Sequence, residues 1–509
     1  MKSRQRIAVA MFGALLCAQA AWILAVPPFR GIDEFDHAFR AAGVADGQWR
    51  LTQPAERGRG LLVEVPAEMV EASRAQCESL SYIETQTCAG DGPGQRDGTV
   101  LATTSAAGYE PIYYWLVGTA AKPFSGAHAL YAMRAASALM CALVIALAMW
   151  CLGAWLRGPW AYVGALVGLT PMLIYSTTVV APNGLEMAAG LCLWTSLLGL
   201  GIRGGAADGP EDLRRERGLL AAATFAAVVM AGLRDLGPLW VLLIVICVVV
   251  LRGPRSSWAV CRRHRLQVAL GVLLSVGSAL ALLAWKRGGV PVPQGLLNAD
   301  VDSSWTQAVR YPDWIVGTVG AFPFRDQPAP IAVHVLVLAV LMAMLVAVVR
   351  HAAQRERLVV YLAVAFSLLV PSLLVWVTLE EKGGIWQGRY SLPFTVGVMV
   401  LVGLVLDSAR WRVGPRDHRA QLLVIGLLAT AHIVSVVSVE RLELARDVST
   451  ADPNWWHLPP ALTALTMAAG WLLVAWGLVA ARRLAATASS GETRDTTAEP
   501  HLVDEASAS

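Results

Sequence analysis

Three acids, a histidine and an arginine lie within eight residues of one another in Pro27-Pro28-Phe29-Arg30-Gly31-Ile32-Asp33-Glu34-Phe35-Asp36-His37-Ala38-Phe39-Arg40. A carboxylate in such a cluster can take a proton from an acceptor hydroxyl as general base. Asp33 and Glu34 are the catalytic candidates, with His37 and Arg40 as substrate-binding neighbours. The cluster directly follows an apolar run, Ile7–Val26. Ionisable groups at a membrane surface lose solvation unless they pair or meet a ligand, which marks them as functional. The same residues also fit a solvated helix start, with Asp33 or Glu34 on the N-terminal dipole and Asp36 pairing with Arg40. Spacing alone leaves both readings open.

Two further points carry chemistry. Glu186, after Ala181-Pro182-Asn183-Gly184-Leu185, opens an otherwise apolar segment and can hold a metal or a sugar hydroxyl, or simply cap a helix. Arg389 sits in Trp386-Gln387-Gly388-Arg389-Tyr390-Ser391-Leu392-Pro393. A guanidinium among aromatic residues at that depth can bind a phosphate oxygen through two parallel hydrogen bonds, or snorkel to water. Arg234, between two apolar runs, poses the same choice, and Gln387 and Tyr390 join the substrate-binding candidates.

The elements that position these residues are membrane spans. The 509 residues are 56% hydrophobic and 15% charged, against roughly 25% charged for a soluble domain. Apolar runs of the length needed to cross about 30 Å of hydrocarbon recur along the chain. They predict an all-α polytopic integral membrane protein with about 12 helices, near 7–26, 129–153, 160–180, 184–203, 218–233, 237–252, 266–285, 331–350, 358–379, 391–407, 420–439 and 460–481. Basic clusters at Lys2/Arg4/Arg6, Arg214/Arg215/Arg217, Arg252–Arg265, Arg350–Arg357, Arg410–Arg419 and Arg482/Arg483 alternate with acidic and aromatic loops. By the positive-inside rule, both termini are cytoplasmic and the protein lies in the bacterial inner membrane. The net charge of +4 is thus accounted for by topology, with no nucleic-acid partner. The first run continues through Trp22–Val26, which favours an uncleaved anchor over a signal peptide.

Residues 1–485 form the membrane domain, and 486–509 read as a disordered cytoplasmic tail. Two outer loops are long, 27–128 and 286–330. The first holds Tyr109-Glu110-Pro111-Ile112-Tyr113-Tyr114-Trp115, suited to a helix in the headgroup layer. It also holds Cys77 and Cys88, the one cysteine pair placed where disulfides persist. No Cys/His spacing suggests zinc. No cofactor is required by the sequence, although a divalent metal fits one reading of Glu186.

At these motifs the chain resembles the bacterial membrane proteins of domain of unknown function 2142, common in actinobacteria. Pro28, Asp33-Glu34 and His37 resemble the family's pattern after the first span. Gln387-Gly388-Arg389-Tyr390 with Pro393 resembles its Gln-Gly-Arg-Tyr motif, and Gly317-Thr318-Val319-Gly320 resembles part of its loop before the eighth span. The family's usual Trp-Leu-Asp is absent, and Ala321-Phe322-Pro323-Phe324 stands there. Phe35-Asp36 replaces a small or proline residue. The family's layout is similar to that of C-class (GT-C) glycosyltransferases, which take sugar from a polyprenyl-phosphate donor and keep a catalytic acid just past the first span. The resemblance implies transfer of a lipid-linked sugar to a cell-envelope acceptor at the outer face. Asp33 would lead as base with Glu34 close behind, and Glu186 would fall where some members keep a metal-binding acid. A lipid-linked-sugar transporter or flippase and a non-catalytic scaffold are the alternatives.

Overall fold

The computed structural model describes residues 3–55, 60–79, 88–200, 209–292, 309–382, 386–409, 415–446 and 454–495. The first long helix, α1 (Ser3–Ala25), leads into α2 (Glu34–Ala45). A lobe follows, made of β1 (Leu61–Pro66), α3 (Ala67–Glu78), β2 (Gly92–Pro93), β3 (Thr99–Thr104) and α4 (Pro111–Ala121). The helical body then continues with α5 (Gly126–Leu152), α6 (Trp160–Gly168), α7 (Pro171–Ser176), α8 (Asn183–Gly199), α9 (Pro210–Leu233), α10 (Gly237–Arg252), α11 (Pro254–Arg263) and α12 (Arg265–Arg287). After α13 (Tyr311–Val319) and a short hairpin, β4 (Ala321–Phe322) with β5 (Gln327–Pro328), come α14 (Ile331–His351), α15 (Gln354–Lys382), α16 (Leu392–Ser408), α17 (Pro415–Leu444) and α18 (Pro460–Asp495).

The protein is an all-α polytopic membrane protein with a small β element. Among the described residues, nine helices are long and apolar enough to cross a membrane, or up to ten if α10 and α11, bent by 110°, are one span. The sequence reading of about twelve counts two more. One of these is α8, whose 17 residues fall short of a full span. The other is the expected helix 160–180, which is broken. Thr170 is extended and its hydroxyl caps α7 by accepting from the Leu173 N–H (3.3 Å). Pro171 follows at the first helical position, where its missing N–H costs nothing and the preceding residue is pushed out of the helical region. At the far end, α18 runs to Asp495, into the segment expected as tail, and 496–509 lie outside the described residues.

Close backbone approach fixes the body. A Cβ on Gly164 or Gly168 of α6 would sit 2.0 or 2.2 Å from the Met399 or Val396 carbonyl of α16. On the other side, a Cβ on Gly190 of α8 would sit 2.0 Å from the Pro393 carbonyl. Helices in lipid associate through such small-residue contacts because no hydrophobic force separates them from lipid tails. The start of α16 is therefore clamped between α6 and α8.

The lobe has its own core of Phe35, Phe39, Val63, Val65, Met69, Val70, Tyr113, Tyr114 and Val117. The antiparallel β1–β3 pair, Leu61 opposite Thr104 through Pro66 opposite Thr99, carries β2 on the outer edge of β3. Glu110 caps α4 by accepting from the Ile112 N–H (3.0 Å). One face of α4 buries Tyr113 and Tyr114, and the other exposes Ile112, Trp115 and Leu116. That division matches a helix half-embedded at an interface. Cys77 and Cys88 are joined by a disulfide with Cα atoms 5.7 Å apart.

Candidate active site

The turn between α1 and α2 divides the acidic cluster into residues with different duties. Glu34, wholly buried, receives Arg134 of α5 through Nε (2.8 Å) and Nη2 (2.6 Å). The Gly31 and Val180 N–H groups also donate to its two oxygens, at 3.1 and 3.3 Å. Arg134 in turn donates to the carbonyls of Ile23, Val26 and Pro27 at the end of α1. A buried pair needs such extra bonds to offset desolvation, and here they tie three chain segments together. Asp36 accepts from the Ser105 N–H (2.6 Å), which fixes the lobe to α2. Arg40, fully buried, donates to the Gln48 and Trp49 carbonyls (3.0 and 2.7 Å). His37 meets the Tyr114 hydroxyl through Nδ1 (2.7 Å), stacks on that ring and meets Tyr109 edge-on. Burial raises the Tyr114 hydroxyl well above its ordinary value, so it stays a neutral phenol beside His37.

Asp33 is placed differently. It caps α2 in the left-handed region (φ 56°) without a side-chain cap bond, and its side chain is 31% exposed. Phe29, four residues earlier, shares the left-handed conformation (φ 62°). Two such residues in one turn carry a backbone cost that packing must sustain, and such positions cluster at functional sites. Asp33 Oδ2 lies 3.5 Å from Nη2 of Arg389.

Arg389 reaches this point from a 3₁₀ turn, Gly388–Ser391, that leads into α16. Its Nε donates to Gln387 (2.7 Å), which orients the guanidinium. A Cβ on Gly388 would lie 1.9 Å from the Trp314 carbonyl of α13, and the Thr318 hydroxyl, which donates to that carbonyl (2.7 Å), also lies 3.2 Å from the Gly388 carbonyl. All three segments singled out in the sequence thus meet: the turn bearing Asp33, the turn bearing Arg389, and Gly317-Thr318 behind it.

Two guanidinium groups approach the Tyr390 ring, with Arg389 5.5 Å and Arg234 4.9 Å from its centre. Arg234, at the end of α9, is 3.7 Å from Glu186 Oε2. Beside them a cavity of about 360 Å³ is lined by Tyr109, Glu186, Arg234, Trp240, Lys286, Trp386 and Tyr390, with Leu374 and Val375 of α15. Burial raises the Tyr109 hydroxyl, while the Arg234 and Arg389 charges act to lower it and those of Asp33 and Tyr390 to raise it. Asp33, Arg389 and Arg234 therefore share one electrostatic neighbourhood around Tyr109. Lys286 pairs with Asp235 at the rim.

The arrangement brings Asp33, Arg389, Gln387, Tyr390, Arg234 and Glu186 together. His37 stands behind Tyr109, while Glu34 and Arg40 are engaged in bonds that hold the chain. For Glu186 a cation is already at hand in Arg234, and among the described residues no three His, Cys, Asp or Glu side chains form a group that could hold a metal. The sequence reading passed over Arg134, although a lone arginine in an apolar run is itself a signal. It also passed over Trp240 and Lys286, which nothing in spacing distinguishes from packing and interfacial residues.

No curated protein matches the chain. Two solved structures show similarity: ArnT from Cupriavidus metallidurans bound to undecaprenyl phosphate, and the same protein in its apo state. The first has 16% identity and a TM-score of 0.46, covering 96% of this chain and 81% of that one. The second has 14% identity and a TM-score of 0.39, covering 89% and 77%. Residues 16–398, well over half of the chain, match the model of a family described as predicted membrane protein, domain of unknown function 2142, and the chain belongs to that family.

Proposed function

We propose that the protein is a glycosyltransferase of the inner membrane that moves a sugar from a polyprenyl-phosphate donor to a cell-envelope acceptor at the outer face. The observation that carries this reading is the Asp33–Arg389 pair, 3.5 Å apart at a partly exposed carboxylate, beside a cavity lined by a second arginine. Ion pairs with shared hydrogen bonds close to about 2.7–2.9 Å. Arg389–Asp33 at 3.5 Å and Arg234–Glu186 at 3.7 Å are longer, so each guanidinium keeps donors for a phosphate oxygen.

In this scheme Asp33 takes the proton of the acceptor hydroxyl. The acceptor oxygen bonds to the anomeric carbon as that carbon's bond to the phosphate oxygen breaks. The electron pair leaves on the phosphate, whose growing charge Arg389 and Arg234 stabilise. The proton on Asp33 passes to solvent, leaving glycosylated acceptor and polyprenyl phosphate. Apolar residues on α15 and α10 suit the lipid end of the donor. A transporter would place its ionisable groups near the bilayer midplane, whereas these lie at helix ends and in turns.

Comparing lipid-linked sugars and envelope glycans in cells with and without the gene tests this reading. Loss of the gene is expected to accumulate one polyprenyl-phosphate sugar and remove one glycan linkage. Unchanged levels of both would contradict it.

A further inference from the structure

Helices α9, α10 and α12 carry Arg234, Trp240 and Lys286 to the cavity at one end of the body, and α11 joins α10 to α12 at the other. The α10–α11 junction is bent by 110° at Gly253, whose φ of 90° suits glycine. A helix turned so far from a spanning neighbour runs along the membrane surface. Both of its ends are fixed. Arg355 of α15 donates through Nε to the Val250 carbonyl (2.9 Å), and a Cβ on Gly253 would lie 2.5 Å from its guanidinium. Just past α11, Glu216 of α9 meets His264 Nε2 (2.8 Å) and accepts from Arg263 Nη1 (3.2 Å).

The sequence of α11, Pro254–Arg263, has arginines and no acid. At 3.6 residues per turn, Ser257, Val260 and Cys261 fall on one side of the helix and Arg255, Arg262 and Arg263 on the other. Val260 is half-buried against the body. Trp258 stands on the border, three residues from Arg255 and four from Arg262, so all three share one edge. The indole is 65% exposed. Arg263 is engaged by Glu216, whereas Arg255 and Arg262 are exposed and have no ion-pair partner among the described residues. We infer that α11 lies in the headgroup layer and binds an anionic phospholipid, with Arg255 and Arg262 on the phosphate and Trp258 at the boundary with the acyl chains. Indole rings collect at headgroup level, and a guanidinium binds phosphate oxygens through parallel hydrogen bonds. Each basic residue held at an anionic leaflet contributes about fivefold to binding. The exposed indole on the same edge selects a lipid over a free phosphate, which has nothing for it to cover. With its 16 residues α10 is roughly 24 Å long, which separates this site from Arg389 and Arg234. The lipid bound here is therefore distinct from a lipid-linked donor, and the inference stands whether or not the protein transfers sugar.

The test uses the full chain purified in detergent and native mass spectrometry with added phosphatidylglycerol or phosphatidylcholine of the same acyl chains. The wild type is expected to bind phosphatidylglycerol about tenfold or more tighter than phosphatidylcholine. Arg255→Gln combined with Arg262→Gln is expected to remove most of that preference. Arg214→Gln combined with Arg217→Gln, an equal loss of charge on exposed residues at the start of α9, should leave it within about threefold of wild type. Trp258→Ala should weaken both lipids, and thermal melting checks that each variant folds. Glycerol 1-phosphate in large excess should not displace the lipid. If the wild type binds the two lipids alike, the site is overturned. If the two double variants lose the preference equally, the attraction is diffuse charge at this end of the body and α11 is not its site. If Trp258→Ala changes neither lipid, or if glycerol 1-phosphate displaces phosphatidylglycerol, α11 does not rest in the headgroup layer and the inference falls.

Discussion

Asp33 Oδ2 lies 3.5 Å from Arg389 Nη2, whereas its neighbour Glu34 is held by Arg134 at 2.6 Å. Adjacent acids thus have opposite fates: one is gripped on both oxygens inside the protein, and the other faces a guanidinium at a partly open site. The turn that leads into both is held by Gly31, whose N–H bonds Glu34 and whose missing Cβ would otherwise meet that carboxylate at 2.8 Å.

Glu34→Gln is expected to act on stability. Removing one partner of a buried pair leaves the other charge uncompensated, at a cost of about 3–5 kcal/mol. Thermal unfolding in detergent should show a clear fall in midpoint, together with reduced yield. A variant that melts like wild type yet has no transfer activity would make Glu34 the base instead.

Arg389→Ala is expected to raise the apparent KM for the lipid donor more than it lowers kcat. The charge the donor phosphate already carries in the ground state makes most of this contact uniform binding, whose loss appears in KM, and the charge that grows on the leaving phosphate adds a smaller fall in kcat. A fall confined to kcat would show that the guanidinium serves only the transition state. Gly388→Ala is a useful companion, because its Cβ would collide with the Trp314 carbonyl and shift Arg389.

Much of the architecture was legible in the sequence because a span announces itself by length and apolarity. Each apolar segment singled out there contains helix among the described residues, and the break before Pro171 was marked by a proline that the hydropathy pattern concealed. The lobe was legible only in its aromatic helix and its Cys77–Cys88 pair. Its sheet pairs Leu61–Pro66 with Thr99–Thr104 across an intervening helix and disulfide, and no local period reveals such a pairing. The site was half legible. Residue types marked Asp33, Glu34, Arg389, Arg234 and Glu186, but the spacing of two adjacent acids cannot say which one turns inward. That choice was made by Arg134, a hundred residues away from Glu34.

Cys77 and Cys88 are expected to be oxidised in protein isolated without reductant. A bridge across a sequence separation of 11 contributes about 3 kcal/mol by the chain-entropy estimate. Mass spectrometry after alkylation should find no label on either residue, and Cys77→Ser should lower the melting midpoint. Two alkylated thiols would contradict the pairing.

Both termini are expected on the cytoplasmic side, with the lobe outside. A membrane-impermeant thiol reagent should label a cysteine introduced at Asp91 in intact cells and miss one introduced at Arg416. The reverse pattern would invert the topology and place Asp33 on the cytoplasmic face.

Catalysis by Asp33 is tested most directly by complementing a strain that lacks the gene with wild type or with Asp33→Asn at equal membrane levels. Asparagine keeps the shape but cannot take a proton, so a general base would lose its usual 10²–10⁴-fold contribution, roughly. The wild type should restore the envelope glycan and clear the accumulated polyprenyl-phosphate sugar, while Asp33→Asn should leave the strain as deficient as the deletion. Full restoration by Asp33→Asn would contradict the assignment of Asp33 as the base.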